Sequence, residues 1–330
     1  MADVPTRTIA RALHKQHPKL FLSVEKARNA VRDIRGNRGE TKRRTARDKS
    51  LFRPNGKAGA VLMPEPVLES WEPLCIDGPA RVGVLSDIHV PYHDKSALET
   101  AVTECKRHRC DVVILNGDTI DFYGISRFEK DPERRTPTQE IRDAVQLMRW
   151  IQQQLPKARM IWKDGNHDER LSKFVLHNAP VLWSLQQVRL PNVLGWEMAE
   201  QTGRESTKLE RYGWEYVTDK RPIMAGKLPI LHGHELPGGG SSAVNPSRGA
   251  YLRTAHTVLI GHQHRTSQHT EPDMFHEEVA CFSTGALCGL YPAFARINKW
   301  NHGFALVDVA ADQEFDVRNL RIAEGKIRAS

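Results

Sequence analysis

From Val82 onward, short apolar runs recur along the chain and each one ends in a polar motif. The run 82–85 precedes Ser86-Asp87-Ile88-His89, and 112–115 precedes Asn116-Gly117-Asp118-Thr119-Ile120-Asp121. The run 160–162 precedes Lys163-Asp164-Gly165-Asn166-His167-Asp168, 229–231 leads into His232-Gly233, and 258–260 into Gly261-His262-Gln263-His264. Three or four apolar residues flanked by turn formers predict buried strands. Helical patterns lie between the first three. Ala97, Leu98, Ala101, Val102 and Cys105 share one face, and Ile141, Ala144, Val145, Met148, Ile151 and Leu155 share another. Thr136, Pro137 and Gln139 stand at the N-cap, first and third positions of the second pattern, a capping box with proline where its missing N–H is harmless. Strand–helix alternation predicts an α/β fold with a largely parallel sheet covered by helices. The later runs 280–283 and 304–307 predict a second sheet, hence a sheet-on-sheet core with helices outside. In open α/β sheets, ligand groups sit on loops at the carboxyl ends of strands, so the polar motifs are expected to converge on one edge.

Upstream the pattern differs. Ile9 and Leu13, four apart, predict a helix over 6–14, and Ser23 is the expected N-cap of a second over 24–34. Ala27, Ala30, Val31 and Ile34 share its apolar face, while Arg28, Arg32 and Arg35 form a basic stripe. Such a pair suits a helix-turn-helix or a simple tethering or capping element. Residues 36–60 are rich in Gly, Lys, Arg and Asn without apolar periodicity, and prolines at 64, 66, 73 and 79 extend the irregular stretch. The expected organisation is a small helical arm over 1–35, a basic linker containing Pro and Gly over 36–80, and the main domain over 81–330.

Charge sharpens this division. Residues 1–60 hold 16 Lys and Arg against 5 Asp and Glu, whereas the remaining 270 hold 32 against 35. A basic arm on a slightly acidic body points to DNA or RNA as a partner of the arm, or to a solvated basic tail. No apolar stretch approaches the roughly 18 residues of a membrane span, and residues 1–20 lack a secretory pattern. Five cysteines with no Cys-x-x-Cys pair argue against a disulfide framework. The expected compartment is the cytoplasm, that of the host if the chain is phage-encoded.

A hydrolytic two-metal site needs a bridging carboxylate, neutral imidazoles, hard oxygen donors and an open position for substrate. Asp87 and His89, two apart at a strand end, are expected to point to one side and chelate an ion. Asp118 suits the bridge, because Gly117 lets the backbone turn tightly beside it. Asn166 offers a neutral oxygen, and His232, His262 and His264 complete a donor set for two ions. The blocks D-x-H, G-D-x-x-D, G-N-H-[DE], H-G and G-H-x-H, in this order from Asp87 to His264, resemble those of the calcineurin-like metallophosphoesterase superfamily.

The resemblance implies an αββα sandwich, two sheets flanked by helices, with the small helical segment at its N-terminus. It implies two divalent ions, Mn foremost, with Fe, Zn, Ni or Mg as alternatives. Asp87, His89, Asp118 and His264 would hold the first ion, and Asp118, Asn166, His232 and His262 the second. A hydroxide bridging them would attack phosphorus. His167 would protonate the leaving oxygen or stabilise its charge, oriented by Asp121. His93, His108, His256, His269, His276 and His302 read as structural, and His234 stays open. Protein serine/threonine phosphatases of the superfamily carry Arg directly after the second Asp and Glu after G-N-H. Phe122 and Asp168 stand there instead, so the pattern is more similar to the phosphodiesterase and nuclease branches and to phage phosphoesterases. The expected function is phosphodiester hydrolysis, nuclease action included. The alternatives are a phosphomonoesterase or nucleotide pyrophosphohydrolase acting on small substrates, and a non-catalytic nucleic-acid-binding protein. Two further segments are expected near the pocket. Residues 238–242 (GGGSS) form a movable cover, an anion-binding nest or a flexible surface loop. Residues 285–303, with Tyr291, Phe294, Arg296 and Trp300, either stack on bases or form a packed loop.

Overall fold

The computed structural model describes residues 4–35, 63–67, 71–127, 131, 136–195, 198–201, 204–209, 213–237 and 244–329. The chain forms two compact units, Met1–Glu69 and Ser70–Ser330. In the first, α1 (Thr6–Gln16) and α2 (Val24–Ile34) pack together, with Ala10, Ala27 and Val31 buried. The Ser23 hydroxyl accepts the Lys26 N–H at 3.2 Å, which caps α2. The arginine stripe is divided. Arg28 pairs with Glu25, while Arg35 donates to the Val4 carbonyl and the Thr6 hydroxyl. Residues 36–62, most of the expected linker, lie outside the described residues.

The second unit opens with β1 (Leu74–Ile76) and β2 (Ala80–Leu85), then α3 (Lys95–His108), β3 (Val112–Asn116), α4 (Pro137–Gln154) and β4 (Arg159–Lys163). Next come α5 (Arg170–Asn178), the single-turn α6 (Leu190–Val193), β5 (Met198–Gln201), β6 (Arg204–Leu209) and β7 (Trp214–Val217). They are followed by β8 (Ile223–Ala225), β9 (Leu228–Leu231), α7 (Pro246–Thr254), β10 (Val258–Ile260), β11 (Ser267–Pro272) and β12 (Glu278–Ser283). The chain finishes with β13 (His302–Val309), β14 (Phe315–Ala323) and β15 (Lys326–Ala329). A nine-stranded sheet runs β15-β14-β13-β2-β3-β4-β7-β6-β5, and a six-stranded sheet runs β1-β8-β9-β10-β12-β11.

The two sheets face each other. Val82, Val84, Val112 and Ile114 from one share a core with Ile223, Ile230 and Leu259 from the other. On its outer face the larger sheet packs Leu85, Leu115 and Trp162 against Leu98, Met148 and Ile151 of α3 and α4. Ala250 of α7 covers Val258, Ile260 and Cys281 of the smaller sheet. The result is the expected αββα sandwich. Strands covered on both faces must be apolar at every position, which is why they read as unbroken runs.

Three local expectations change. Residues 304–307 belong to β13, which pairs antiparallel with β2 in the larger sheet and not in the second one. An apolar run records burial on both faces but not its partner. Only β2-β3-β4-β7 are parallel in the larger sheet, and its outer strands are antiparallel. Leu74–Ile76, inside the stretch read as linker, is β1 and pairs with β8; three residues between prolines carry no periodicity. Among the described residues, no helix is long and apolar enough to cross a membrane.

The capping box of α4 is present. The Thr136 hydroxyl accepts the Gln139 N–H at 3.4 Å, and the Gln139 side chain accepts the Thr136 N–H at 2.9 Å. Glu140, the next residue, is fully buried. Burial, reinforced by the Asp121 carboxylate, raises its pKa to about 7. Between pH 4.5 and 7 the unfolded chain therefore ionises this group while the folded chain does not. Stability falls across that window, by about 3 kcal/mol at most. Glu140→Gln removes the titration, so the variant is expected to be more stable than wild type at pH 8, with the gain disappearing near pH 4. Urea unfolding at both pH values measures the difference.

Candidate metal centre

The site begins where the strands stop. Past the ends of β2 and β3 the two loops keep pairing: Asp87 N–H donates to Gly117 O at 3.1 Å and His89 N–H to Asp118 O at 2.9 Å. Val90 N–H reaches Thr119 O at 2.8 Å, and Asp121 N–H returns to Val90 O at 3.0 Å. The loops also leave the extended conformation. Asp87, His89 and Asp118 have φ of 56°, 51° and 52°, and on the other sheet His262 and His264 have 64° and 53°. Asp87 and His89 therefore do not stand on an extended strand end, and the left-handed turn after β2 carries both. Left-handed backbone is uncommon outside glycine, though Asp and His tolerate it better than most residues.

Two glycines are needed for this geometry. A Cβ on Gly117 (φ 81°) would lie 2.3 Å from His232 Nδ1, and one on Gly165 would lie 2.3 Å from Asp118 N and Oδ1. Each loop passes against a candidate ligand of another, with no room for a side chain.

The two aspartates each divide their oxygens. Asp87 Oδ2 accepts the His262 N–H at 2.9 Å, and Asp118 Oδ1 accepts the His167 N–H at 2.8 Å. Their other oxygens face imidazoles. Asp87 Oδ1 lies 3.1 Å from His264 Nε2, whose ring nitrogen is 3.2 Å from His89 Nε2. Asp118 Oδ2 lies 3.3 Å from His232 Nε2 and 3.7 Å from His89 Nε2, so it stands between the two groups. His262 joins Asp118 and His232 in a ligand cluster, and Asn166 lines the same cavity as Asp118 and His262. All seven candidate ligands thus come together.

Hydrogen bonds fix the lone pairs. His232 Nδ1 donates to Asn116 O at 2.8 Å, leaving Nε2 as an acceptor aimed at Asp118. His89 Nδ1 donates to Asp121 Oδ1 at 3.1 Å, leaving its Nε2 toward His264. Asp87 Oδ1, Asn166 Oδ1, His232 Nε2 and His262 Nδ1 are buried and make no hydrogen bond. Buried acceptors facing acceptors repel unless a cation or a proton lies between them. Burial opposes a charged His232, but Asp118 and Asp87 outweigh it and raise its pKa to about 10. His264 is raised against burial by Asp87 and then Cys288. Burial would lift Asp118 too, yet the charge on His232 holds it well below the usual carboxylate range. His262 is lowered to about 4 by burial and by the charge on His232. Orphaned N and O donors of this kind around a shared carboxylate fit two divalent ions.

His167 stands beside the ligands. Its Nδ1 donates to Asp121 O at 3.2 Å and lies 2.9 Å from Asp121 Oδ1, so Asp121 orients both His167 and His89. Arg170, absent from the sequence reading, donates to Asp121 O at 2.6 Å and to His167 Nε2 at 3.0 Å. Asp168 is buried and accepts N–H groups from Gly165, Thr119 and Ile120, which ties two motif loops together. Lys163 and Glu235 form a buried pair at 2.9 Å, and Glu235 also accepts the His232 and Gly233 N–H groups. Cys288 forms a further cluster with His89 and His264. His234 donates to Glu169. None of the six histidines read as structural enters a ligand cluster among the described residues; His108 is held by Asp308 and His302 by the Cys288 carbonyl. The 238–242 loop lies outside the described residues. The centre opens into a cavity of about 560 Å³, walled on one side by the 285–303 segment.

A protein of Mycobacterium phage L5, the Gene 54 protein, is 24% identical over 196 residues, covering 56% of this chain and 69% of that protein. Among solved structures, vacuolar protein sorting 29 from Cryptosporidium parvum aligns over 76% of this chain and 95% of that one, with a TM-score of 0.40 and 12% identity. Yfce, a phosphoesterase from E. coli, aligns over 71% and 96%, with a TM-score of 0.31 and 13% identity. The profile described as calcineurin-like phosphoesterase matches residues 80–266, which is more than half of the chain and spans every block from Asp87 to His264. On that match the chain belongs to the calcineurin-like phosphoesterase family, a family of metal-dependent phosphoesterases.

Proposed function

We propose that this chain hydrolyses phosphodiesters, using two divalent ions held about Asp118. The observation that carries the reading is the pair of unshared acceptor groups, Asp87 with His89 and His264, and Asn166 with His232 and His262, meeting at one carboxylate. When bound, such ions polarise phosphoryl oxygens and make water a stronger nucleophile. The diester preference rests on charge. Among the described residues lining the cavity, Arg296 is the one Lys or Arg, and it donates to Tyr291 O. A dianionic monoester calls for extra cations at its free oxygens, and a monoanionic diester does not.

His167 sits where it can serve the leaving oxygen. A guanidinium only donates, so the Nε2 facing Arg170 carries a lone pair and the ring proton lies on Nδ1, toward Asp121. Nε2 can serve a substrate oxygen only after that oxygen replaces Arg170 there. Arg170 and Asp121 are thus positioning residues for His167.

The basic first unit supports contact with DNA or RNA as a separate property of the arm, since its charge excess is confined to residues 1–60. Manganese is the first metal to test, because mixed N and O donors suit it along with Fe, Zn and Ni.

Full-length protein loaded with Mn²⁺ is expected to turn over aryl phosphodiesters faster than the matching monoesters, and chelation is expected to abolish both. Faster monoester turnover would favour the phosphomonoesterase reading. Asp118→Ala is expected to lose both ions, whereas His167→Ala keeps them and lowers kcat by about 100- to 10,000-fold. Metal analysis beside kinetics separates the two roles. For the arm, DNA affinity is expected to fall steeply between 50 and 200 mM salt, as counterion release requires. Removing residues 1–60 is expected to abolish that affinity and spare ester hydrolysis, as gel-shift and turnover assays on the same preparation would record.

A further inference from the structure

The segment expected to be either a base-stacking surface or a packed loop is not packed. Tyr291 is 64% exposed, Phe294 81% and Ile297 fully exposed. A single exposed apolar side chain is unremarkable, but several rimming one cavity mark a binding surface. The aromatic groups form a series that starts at the metal centre. The Trp300 ring meets His264 edge-on at 4.2 Å between centroids, and Phe294 meets Trp300 at 6.2 Å. Tyr291, Phe294 and Trp300 line the same cavity as His264 and Asn166.

The exposed rings stand on a fixed backbone. Asn298 Nδ2 donates to Leu290 O and Ala295 O, both at 2.6 Å, and its Oδ1 accepts the Trp300 N–H at 2.8 Å. Asn301 N–H donates to His264 O at 3.0 Å, and Gly289 N–H to Tyr92 O at 2.9 Å. Rings held out by a pinned loop offer flat apolar faces at little entropic cost on binding. They contribute little to the core, so the fold does not account for them.

We infer that this wall binds a flat ring of the substrate, an aryl group or a nucleobase. The inference rests on the phosphodiesterase reading above and adds a substrate class to it. The wall and His167 share one end of the centre: His264 Nε2 is 3.2 Å from His89 Nε2, and the His89 ring meets His167 edge-on at 4.4 Å. Stacking of a base on an aromatic side chain corresponds to about 5- to 150-fold in affinity.

The test uses full-length, Mn²⁺-loaded protein and three methyl phosphodiesters whose second ester group is methyl, phenyl or thymidine 5′, with products read by chromatography. The ring-bearing esters are expected to exceed the dimethyl ester at least tenfold in kcat/KM, mainly through KM. Phe294→Ala, a change at a largely exposed side chain, is expected to reduce that preference to about threefold or less. Preference for thymidine over phenyl assigns the wall to a nucleobase, and the reverse to a plain aryl group. Equal turnover of all three esters, or an unchanged preference in Phe294→Ala, overturns the inference. So does a variant whose preference is unchanged but whose sedimentation shifts, since the patch would then join copies of the chain. If no ester is hydrolysed, the phosphodiesterase reading fails, and calorimetry still decides the wall. Thymidine 5′-monophosphate should then bind at least tenfold tighter than methyl phosphate, and Phe294→Ala should erase the difference; equal binding of the two overturns the inference.

Discussion

Everything in this fold that concerns chemistry depends on two carboxylates that each use one oxygen as a strut and turn the other toward a cluster of imidazoles. Asp87 holds the His262 backbone with Oδ2 and presents Oδ1 to His264; Asp118 holds the His167 backbone with Oδ1 and presents Oδ2 to His232 and His89. The struts connect loops from both sheets and the free oxygens face the two imidazole groups, so neither aspartate can move without disturbing both contacts. The same arrangement brings acceptors within repelling distance of one another. Without a cation, the repulsion is relieved by protons, which is why His232 and His264 are pushed up while the neighbouring carboxylates are pushed down. The positions that favour protons in the bare protein are the positions that favour divalent ions in the loaded one.

Holding such a centre is costly for the backbone. Five of the seven candidate ligands are non-glycine residues at positive φ. At roughly 1–3 kcal/mol each, their combined strain is comparable with the net stability of a typical domain, about 5–15 kcal/mol. A surface loop could not sustain it. Here the ligand loops continue the pairing of strands buried on both faces, and further buried contacts secure them. Asp168 accepts three N–H groups from two loops, and the Lys163–Glu235 pair anchors the loop that carries His232. The double-sided core is what makes the strained edge affordable, and this explains why the catalytic motifs follow the most apolar runs in the chain.

Features that depend on neighbours in sequence were legible before the fold was known. The Ser23 cap, the Thr136–Gln139 capping box and the register of α2 rest on contacts three or four residues apart. The ligand blocks were legible because chemistry restricts which residues can occupy them. Pairing was not. Residues 304–307 have the same apolar character as a second-sheet strand, and only the vacant edge of β2 places them in the first. Arg170 was missed because it looks like one more polar residue at the start of a helix. Its spacing was a usable signal, since position i+3 from His167, at the first turn of α5, brings the guanidinium back beside the imidazole. The exposure of Phe294 had no signal at all, because aromatics among Gly, Pro and Asn describe a packed loop as well as a presented one.

Phe122 and Arg170 are best understood together. The serine/threonine phosphatase pattern puts an arginine at position 122, next to Asp121. In this chain that residue is a phenylalanine, fully buried in the core beneath α3 and α4 although its φ is 49°. A cation there would have to leave water for the core, which is costly. The guanidinium comes instead from α5, where it can reach Asp121 and His167 while its stem stays near the surface of the fold. The consequence is a cation that binds the proposed acid and not a free phosphoryl oxygen. A site organised in this way neutralises less charge on the substrate and holds His167 in one orientation. The smaller neutralising charge is what the proposed diester reading uses, since a diester carries one negative charge.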